Sequence, residues 1–162
     1  APGVRLCFVQ KADKDSKPLR DGLVDLETGV VGQMTAPELR VQALFRDRFI
    51  GVVRIGHPLS QGELTPSRYA AGRHIYVSRQ GRDKGPIDEA LATRGLERKI
   101  VTTDGGFSTA LALARASYLI ASVPERHTGN LRAGMHGFTL PFATPFVFSG
   151  GPGGRGCDSA AW

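Results

Sequence analysis

Residues Lys99–Pro124, KIVTTDGGFSTALALARASYLIASVP, decide the fold of this chain. The β-branched run 100–103 predicts a strand, and the Asp-Gly-Gly sequence 104–106 predicts a turn. An Ala/Leu-rich helix is predicted over about 107–115, followed by a second strand over 119–123. The helix is apolar on nearly every side, and parallel strands joined by a helix need cover on both faces of their sheet. This stretch therefore predicts an α/β protein with further helices packed against a parallel sheet.

The composition is that of an ordinary globular protein, with 162 residues, 41% of them apolar and 22% charged. The formal net charge is +6, but the arginines are scattered, which favours a solvated surface over a DNA-binding face. Two cysteines, Cys7 and Cys157, indicate neither a disulfide framework nor a metal site. No apolar run approaches the ~18 residues of a membrane span, and no signal peptide is recognisable. The chain begins without methionine, so we expect it to be part of a longer protein.

The N-terminal third predicts a second β-α-β unit. Val4–Val9 is apolar on both alternating faces, as expected of a strand buried in a parallel sheet. A short helix over 13–20 and a strand over 23–27 follow. Two extended runs, 39–45 and 49–54, then predict a strand pair.

The remaining elements complete an alternating pattern of strands and helices. Thr65-Pro66 predicts a helix start, with threonine as N-cap and proline in the first helical position. The further predictions are a helix to about 71, a strand at 74–77, helices at 86–94 and 124–132, an extended run at 138–142 and a strand from 146. From Ser149 the glycine-rich sequence predicts a tail rather than an element. The pattern suggests two α/β lobes, with a cleft between them at the carboxyl ends of the strands.

No catalytic constellation is recognisable in the sequence, so we expect no enzyme. His57, His74, His127 and His136 stand apart, without the spacing of metal ligands. His57 precedes a proline at a turn, which favours a structural role. Ser108 lacks the G-x-S-x-G surroundings of a nucleophile.

A ligand-binding site is more plausible for this chain than a catalytic site. The helices that begin at Pro86 and Phe107 both follow strands, so their N-termini should converge on one wall of the cleft. The hypothesis is a pocket for a small carboxylate whose aromatic or aliphatic body packs against Phe107. The residues expected to line it are Ser78, Arg79, Phe107, Ser108 and Thr109. The alternative is that Ser108 and Thr109 only cap their helix and that Arg79 faces water.

Several ordered runs resemble the effector-binding domain of LysR-type transcriptional regulators. They are LRDGLVDLETGVV, PELRVQALFRDRFIGVVRIGHPLS, the T-P-x-x-Y helix, HIYVSRQGRDKGPIDEAL and DGGFSTALALARASYLIASVPER. The resemblance extends from residue 1 to about Phe148, and the passage from Leu39 to Leu59 carries most weight.

The resemblance implies two Rossmann-like lobes of the periplasmic-binding-protein type 2 class, joined by two crossing strands. The first lobe would hold residues 1–55 and 138–148, the second 56–137, and 149–162 would be a glycine-rich tail outside the family pattern. The first strand and helix of the family pattern do not occur in the sequence, so the first lobe is expected to be incomplete.

The function that the resemblance implies is the sensing of a small effector, expected to be an organic acid, without cofactor or metal. By alignment the effector-binding positions would be Gln10, Lys11, Gly29, Val30, Ser78, Arg79, Gln80, Phe107 and Ser108. The resemblance also implies a cytoplasmic, membrane-free homodimer or homotetramer that contacts DNA only through an N-terminal helix-turn-helix outside this sequence. The alternative is a periplasmic-type solute-binding protein of a transport system. An upstream secretion signal would favour transport, and an upstream helix-turn-helix would favour regulation.

Overall fold

A computed structural model describes residues 3–9, 17–30, 40–78, 82, 84–145 and 147–153, and the following concerns these residues. They form a five-stranded mixed sheet flanked by helices and a three-stranded antiparallel sheet. The strands are β1 Gly29–Val30, β2 Arg40–Asp47, β3 Phe49–Arg54, β4 Arg73–Val77, β5 Lys99–Asp104, β6 Ile120–Pro124, β7 Met135–Thr139 and β8 Val147–Gly153. The helices are α1 Lys17–Arg20, α2 Pro66–Ala70, α3 Pro86–Ala92 and α4 Phe107–Ala116, with single 3-10 turns at Pro58–Ser60 and Gly129–Arg132.

The five-stranded sheet has the order β5-β4-β6-β3-β7. The strand, helix and strand predicted from residues 99–124 are present as β5, α4 and β6. The two strands are not neighbours, because β4 lies between them and pairs in parallel with both. β3 pairs antiparallel with β6 and β7. The sheet is therefore mixed, with its parallel part at β5-β4-β6.

Helices cover both faces of this sheet, as its parallel strands require. The helix α4 is itself covered on one side only, since Ala112 and Leu113 are exposed. Ile87 and Leu91 of α3 join one buried cluster, whereas Leu111 of α4 joins another. Adjacent residues of β6, Ile120 and Ala121, belong to opposite clusters because successive strand residues face opposite sides. Every residue of β6 is buried, so this strand is the centre of the core.

β2 and β3 are not paired with each other, and the predicted strand pair is wrong. β2 pairs with β8 in the three-stranded sheet, of order β1-β8-β2, whereas β3 belongs to the other sheet. A tight hairpin needs glycine or asparagine at positions with positive φ, and Arg46-Asp47-Arg48 offers neither. The chain instead passes through Asp47 and Arg48 in a nearly extended course from one sheet to the other.

The predicted N-terminal β-α-β unit is not formed in the described residues. Val4–Val9 forms no strand and is exposed, with Phe8 91% accessible. Leu26 makes only an isolated bridge in the run predicted as the next strand. A buried strand needs a neighbour for its backbone groups, and none of the described residues pairs with 4–9. The three-stranded sheet is antiparallel throughout, so these residues do not show the expected Rossmann-like first lobe.

Two C-terminal predictions also differ from the structure. The helix predicted at 124–132 is a set of turns ending in the 3-10 turn, although both the hydroxyl and the backbone N–H of Thr128 donate to the Pro124 carbonyl, at 2.6 and 3.2 Å. The expectation of no element after Ser149 is wrong for 149–153, since β8 continues to Gly153 and pairs on both sides through its backbone. Within the described part of the chain, no helix has the length and apolar character to cross a membrane.

Candidate functional site

Three parallel strands of the five-stranded sheet end along one border, here called the carboxyl edge. β4 ends at Val77, which is paired with Asp104 at the end of β5, and β6 ends at Pro124. The loops that leave this edge begin at Ser78, Gly105 and Glu125. Ligands of α/β sheets bind at the carboxyl ends of the parallel strands, so these loops are the first candidates for a site.

Both connections to the three-stranded sheet meet the carboxyl edge as well. β3 begins there, because Phe49 is paired with Pro124. β7 ends there, because Thr139 is paired with Ile50, the second residue of β3. Both connections between the two sheets therefore meet the five-stranded sheet at the carboxyl edge.

The loops after β4 and β5 are joined by backbone hydrogen bonds. The N–H of Ser78 donates to the carbonyl of Asp104 at 2.9 Å. The Asp104 carboxylate accepts the N–H of Gly106 at 2.8 Å, which fixes the turn into α4. Ser78 Oγ accepts the N–H of Arg82 at 3.0 Å. Ser78 consequently lies beside the turn that carries Phe107 and Ser108.

The N-terminus of α4 is open. Gly106 precedes the helix with φ −144°, no side chain caps it, and its first turn holds no acidic residue. Ser108 and Thr109 lie in the first turn and are exposed, and no side-chain capping hydrogen bond is formed at this helix start. Unpaired N–H groups and the positive end of the helix dipole favour a negatively charged group here.

The N-terminus of α3 is already occupied by a carboxylate of its own chain. Asp88 accepts the N–H of Gly85 at 2.9 Å and two hydrogen bonds from Arg98 at 2.7 and 2.9 Å. Burial alone would raise the pKa of Asp88, but the hydrogen bonds and charge of Arg98 outweigh it and hold the pKa below its usual range. In both helices a carboxylate of the chain accepts the N–H of the glycine before the first turn, Asp88 at α3 and Asp104 at α4. The helices differ because the first turn of α3 holds Asp88 and Glu89 whereas that of α4 holds no acidic residue, so α4 is the better candidate for a negatively charged ligand.

A third loop at this edge, after β6, was not predicted as part of the site. The buried carboxylate of Asp47 accepts the backbone N–H groups of Arg126 and His127, both at 2.9 Å, and that of Arg48 at 2.8 Å. Arg48 also donates to both carboxylate oxygens of Glu125, at 2.6 and 3.2 Å. The crossing residues 47 and 48 thus hold the turn after β6. An acidic residue inside the extended run LFRDRFIGVV was the signal for this contact.

Aromatic contacts extend from this turn to the other walls of the site. The rings of His127 and Phe107 meet edge to face, with centroids 6.1 Å apart and planes at 70°. The guanidinium of Arg126 lies 5.1 Å from the ring centroid of Phe45 in β2. Phe107 itself is half-buried and packs against the cluster beneath α4. The turn after β6 therefore contacts both α4 and β2 of the three-stranded sheet.

The predicted site residues are only partly brought together. Ser78, Phe107 and Ser108 lie at the carboxyl edge, whereas Gly29 and Val30 lie in β1, paired with Gly150 and Ser149. Gln10, Lys11, Arg79 and Gln80 lie outside the described residues. Within the described ranges, no group of three His, Cys, Asp or Glu side chains could hold a metal ion.

His57 has the structural role that its position before proline indicated. Its Nδ1 accepts the N–H of Leu59 at 3.1 Å, which leaves Nε2 to donate to the Tyr118 carbonyl at 3.1 Å. Burial lowers the pKa of His57 and keeps the ring neutral. Both nitrogens are satisfied, so this histidine is fixed in the fold.

A surface depression of about 380 Å³ runs along α3, from Lys84 and Asp88 at the start of the helix to Ile100 in β5. Its buried charges, Asp88 and Arg98, already satisfy each other. It presents no free buried group to a ligand among the residues that line it.

The fold and the edge site define a two-sheet α/β ligand-binding domain. Residues 1–146 match the family model of the LysR substrate binding domain, and the chain belongs to this family. The predicted family is thus confirmed: the chain is an effector-binding regulatory domain of the LysR class, which consists of transcription regulators and not of enzymes.

Two curated relatives are regulators of this class. The chain is 24% identical over 131 residues to the HTH-type transcriptional activator NagR of Ralstonia sp, covering 78% of this chain and 42% of NagR. It is 30% identical over 115 residues to the HTH-type transcriptional regulator SyrM of Rhizobium etli, covering 70% of this chain and 34% of SyrM. The matches thus span between a third and a little over two fifths of these relatives.

Solved structures share the fold. A probable transcriptional regulator of Pseudomonas aeruginosa, PA0477, is 30% identical with a TM-score of 0.81, over 98% of this chain and 55% of that one. The BenM effector binding domain, solved with its effector benzoate, is 18% identical with a TM-score of 0.67, over 89% of this chain and 67% of that one. At that identity BenM shows the fold alone.

Proposed function

We propose that this domain binds a small carboxylate effector at the carboxyl edge, between its two sheets, and thereby regulates a LysR-type transcription factor. The observation that carries the proposal is the open N-terminus of α4, which begins beside the half-buried ring of Phe107 where both sheet connections meet. N–H groups there would receive the carboxylate, and the ring would pack against an aromatic or aliphatic body. BenM, which shares the fold, takes benzoate, a molecule of this kind.

The finer architecture follows from the family and remains a proposal. The whole protein would contain two Rossmann-like lobes joined by two crossing strands, here 1–55 with 138–148 and 56–137, and residues 149–162 would lie outside the family pattern. It would act in the cytoplasm as a homodimer or homotetramer and reach DNA through an N-terminal helix-turn-helix, as the names of NagR and SyrM suggest. The proposed effector contacts are Gln10, Lys11, Gly29, Val30, Ser78, Arg79, Gln80, Phe107 and Ser108.

A thermal-shift screen with benzoate and a set of other aromatic and aliphatic acids tests the proposal. An acid at about 100 times its dissociation constant should stabilise the chain by about 2.7 kcal/mol, a Tm rise of about 5–10 °C for a domain of this size. No stabilisation by any acid in the set would contradict the proposal.

A matched pair of charge variants locates the site. Ser108→Glu places a carboxylate in the first turn of α4, where it suits the helix dipole but competes with the ligand. Acid binding should be lost while the fold remains stable. Ala112→Glu adds the same charge at an exposed position in the middle of α4 and should leave acid binding within about twofold of the parent. Equal binding by both variants would place the site elsewhere.

A further inference from the structure

The four histidines all lie in the described part of the chain, and His127 alone is at the carboxyl edge. His74 begins β4, His136 lies near the start of β7, paired with Val53, and His57 follows β3, so these three lie toward the opposite border. The His127 side chain is exposed, and no described residue forms a hydrogen bond to its ring nitrogens. It is therefore a free polar group beside the proposed effector site.

The position of His127 is fixed from two directions. Its backbone N–H donates to Asp47 Oδ2 at 2.9 Å, and its ring meets the edge of Phe107 at 6.1 Å. The next residue, Thr128, is fully buried and bonded to the Pro124 carbonyl. An exposed imidazole on a turn held at these points loses little further freedom when it binds a ligand.

We propose that His127 is an effector-binding residue that donates a ring N–H to the effector carboxylate, and that Asp47 is the positioning residue that sets its place. The inference rests on the function proposed above and extends it to the loop after β6. Phe107 and His127 form one continuous aromatic wall, so an acid packed on the Phe107 ring brings its polar end within reach of the imidazole. A hydrogen bond to a charged carboxylate is one of the stronger kinds.

The arrangement also connects the effector site with the crossing segment. Asp47 is the last residue of β2, directly before the chain enters the five-stranded sheet. The other charged groups at this turn are accounted for, since Arg48 pairs with Glu125 and Arg126 lies over Phe45. An effector bound to His127 thus contacts the turn after β6. This turn is hydrogen-bonded to Asp47, which lies in one of the two connections between the sheets.

Binding of benzoate and of every acid that stabilises the parent, measured by calorimetry on the full chain, tests the inference. His127→Ala should weaken binding about tenfold, the loss expected for one hydrogen bond to a charged group. His136→Ala removes a histidine at the opposite border and should leave affinity unchanged. His127→Asn retains a side-chain N–H donor and should recover part of the loss.

A double-mutant cycle identifies the role of Asp47. Asp47→Asn should weaken binding in the parent but add no further loss in the His127→Ala background, because it acts only through His127. Amide hydrogen exchange should show faster exchange at Arg126 and His127 in Asp47→Asn. Additive losses in the cycle would overturn the positioning role. If Asp47→Asn fails to fold, the acid affinity of the His127→Ala variant still decides whether His127 binds the effector.

The outcomes separate the two proposals. If an acid binds the parent and His127→Ala equally well, the role of His127 is overturned and the proposed function stands. If no acid binds the parent, the proposed function and the role of His127 are both overturned. In the supporting outcome, the His127 Cε1–H resonance shifts on addition of the acid whereas that of His136 does not.

Discussion

Arg98 donates from Nε and Nη2 to the two carboxylate oxygens of Asp88, at 2.7 and 2.9 Å, and is itself only 5% exposed. The same carboxylate accepts the Gly85 N–H at the start of α3. One acidic side chain thus compensates a buried cation and closes a helix N-terminus. The Asp104 carboxylate accepts the Gly106 N–H before α4 in the same way, but the first turn of α4 holds no acidic residue, whereas that of α3 holds Asp88 and Glu89.

Arg98→Met should lower the free energy of unfolding by about 3 kcal/mol, because it leaves the Asp88 carboxylate without its buried partner. Urea unfolding measures the change. Lys84→Met is the control, since Lys84 pairs with Glu97 at 3.6 Å on the surface and both side chains are more than 70% exposed. Lys84→Met should change the free energy of unfolding by no more than about 0.5 kcal/mol. Equal losses in the two variants would show that the buried pair contributes no more than the exposed one.

His74 makes stability depend on pH. Burial, supported by the charge of Arg98, lowers its pKa from 6.5 to about 4, against the opposing effects of the Tyr69 carbonyl and Asp88. Between pH 6.5 and about 4 the unfolded chain therefore binds the proton more readily than the folded one. The contribution of neutral His74 to the free energy of unfolding is fully present above about pH 6.5, and about 3 kcal/mol of it is lost by pH 4.

Urea unfolding at pH 7 and at pH 4.5 measures this loss. His74→Gln does not titrate in this range and should show a smaller decrease between the two pH values. The pKa of His57 is also lowered by burial, so the variant should keep part of the decrease. A decrease as large in His74→Gln as in the parent would contradict the assignment to His74.

Gly51 in β3 allows the ring of Phe138 to pack against the backbone. A Cβ at this position would lie 2.2 Å from Phe138 Cε2. Gly51→Ala should therefore destabilise the fold by about 1–3 kcal/mol through overpacking. Gly129→Ala is the matched control, because nothing lies within 4 Å of its added Cβ. Thermal unfolding of both variants checks the prediction, and a neutral Gly51→Ala would refute it.

The hydroxyl of Tyr69 and Ser122 Oγ form a buried hydrogen bond of 2.7 Å between α2 and β6. Tyr69→Phe should cost about 1–2 kcal/mol, because the Ser122 hydroxyl is left without this partner. The double variant Tyr69→Phe with Ser122→Ala should be less destabilised than the sum of the single changes. Urea unfolding of the three variants gives the coupling, and strict additivity would argue against the hydrogen bond.

The local pattern of residues 99–124 was sufficient to predict β5, α4 and β6 nearly to their ends, because apolar periodicity and the glycine turn lie within a few residues of one another. The same kind of pattern failed for Val4–Val9, which is apolar enough for a buried strand but has no neighbouring strand among the described residues. Strand pairing is a long-range property. For this reason β4 could not be assigned between β5 and β6, nor β2 and β3 to different sheets, from sequence alone.

The sequence by itself determined the family of this protein and its α/β character, and it predicted the turn before Phe107 as one part of the proposed site. Each depends on residues that are close together in the chain or on an ordered set of such runs. Only the tertiary structure decided that Asp88 pairs with the buried Arg98 at the start of α3, and that the loop after β6 lies beside the proposed site. Asp47 and His127 are 80 positions apart and meet because β3 begins where β6 ends. A buried carboxylate takes whichever backbone N–H groups the sheet brings to it, and no local pattern specifies them.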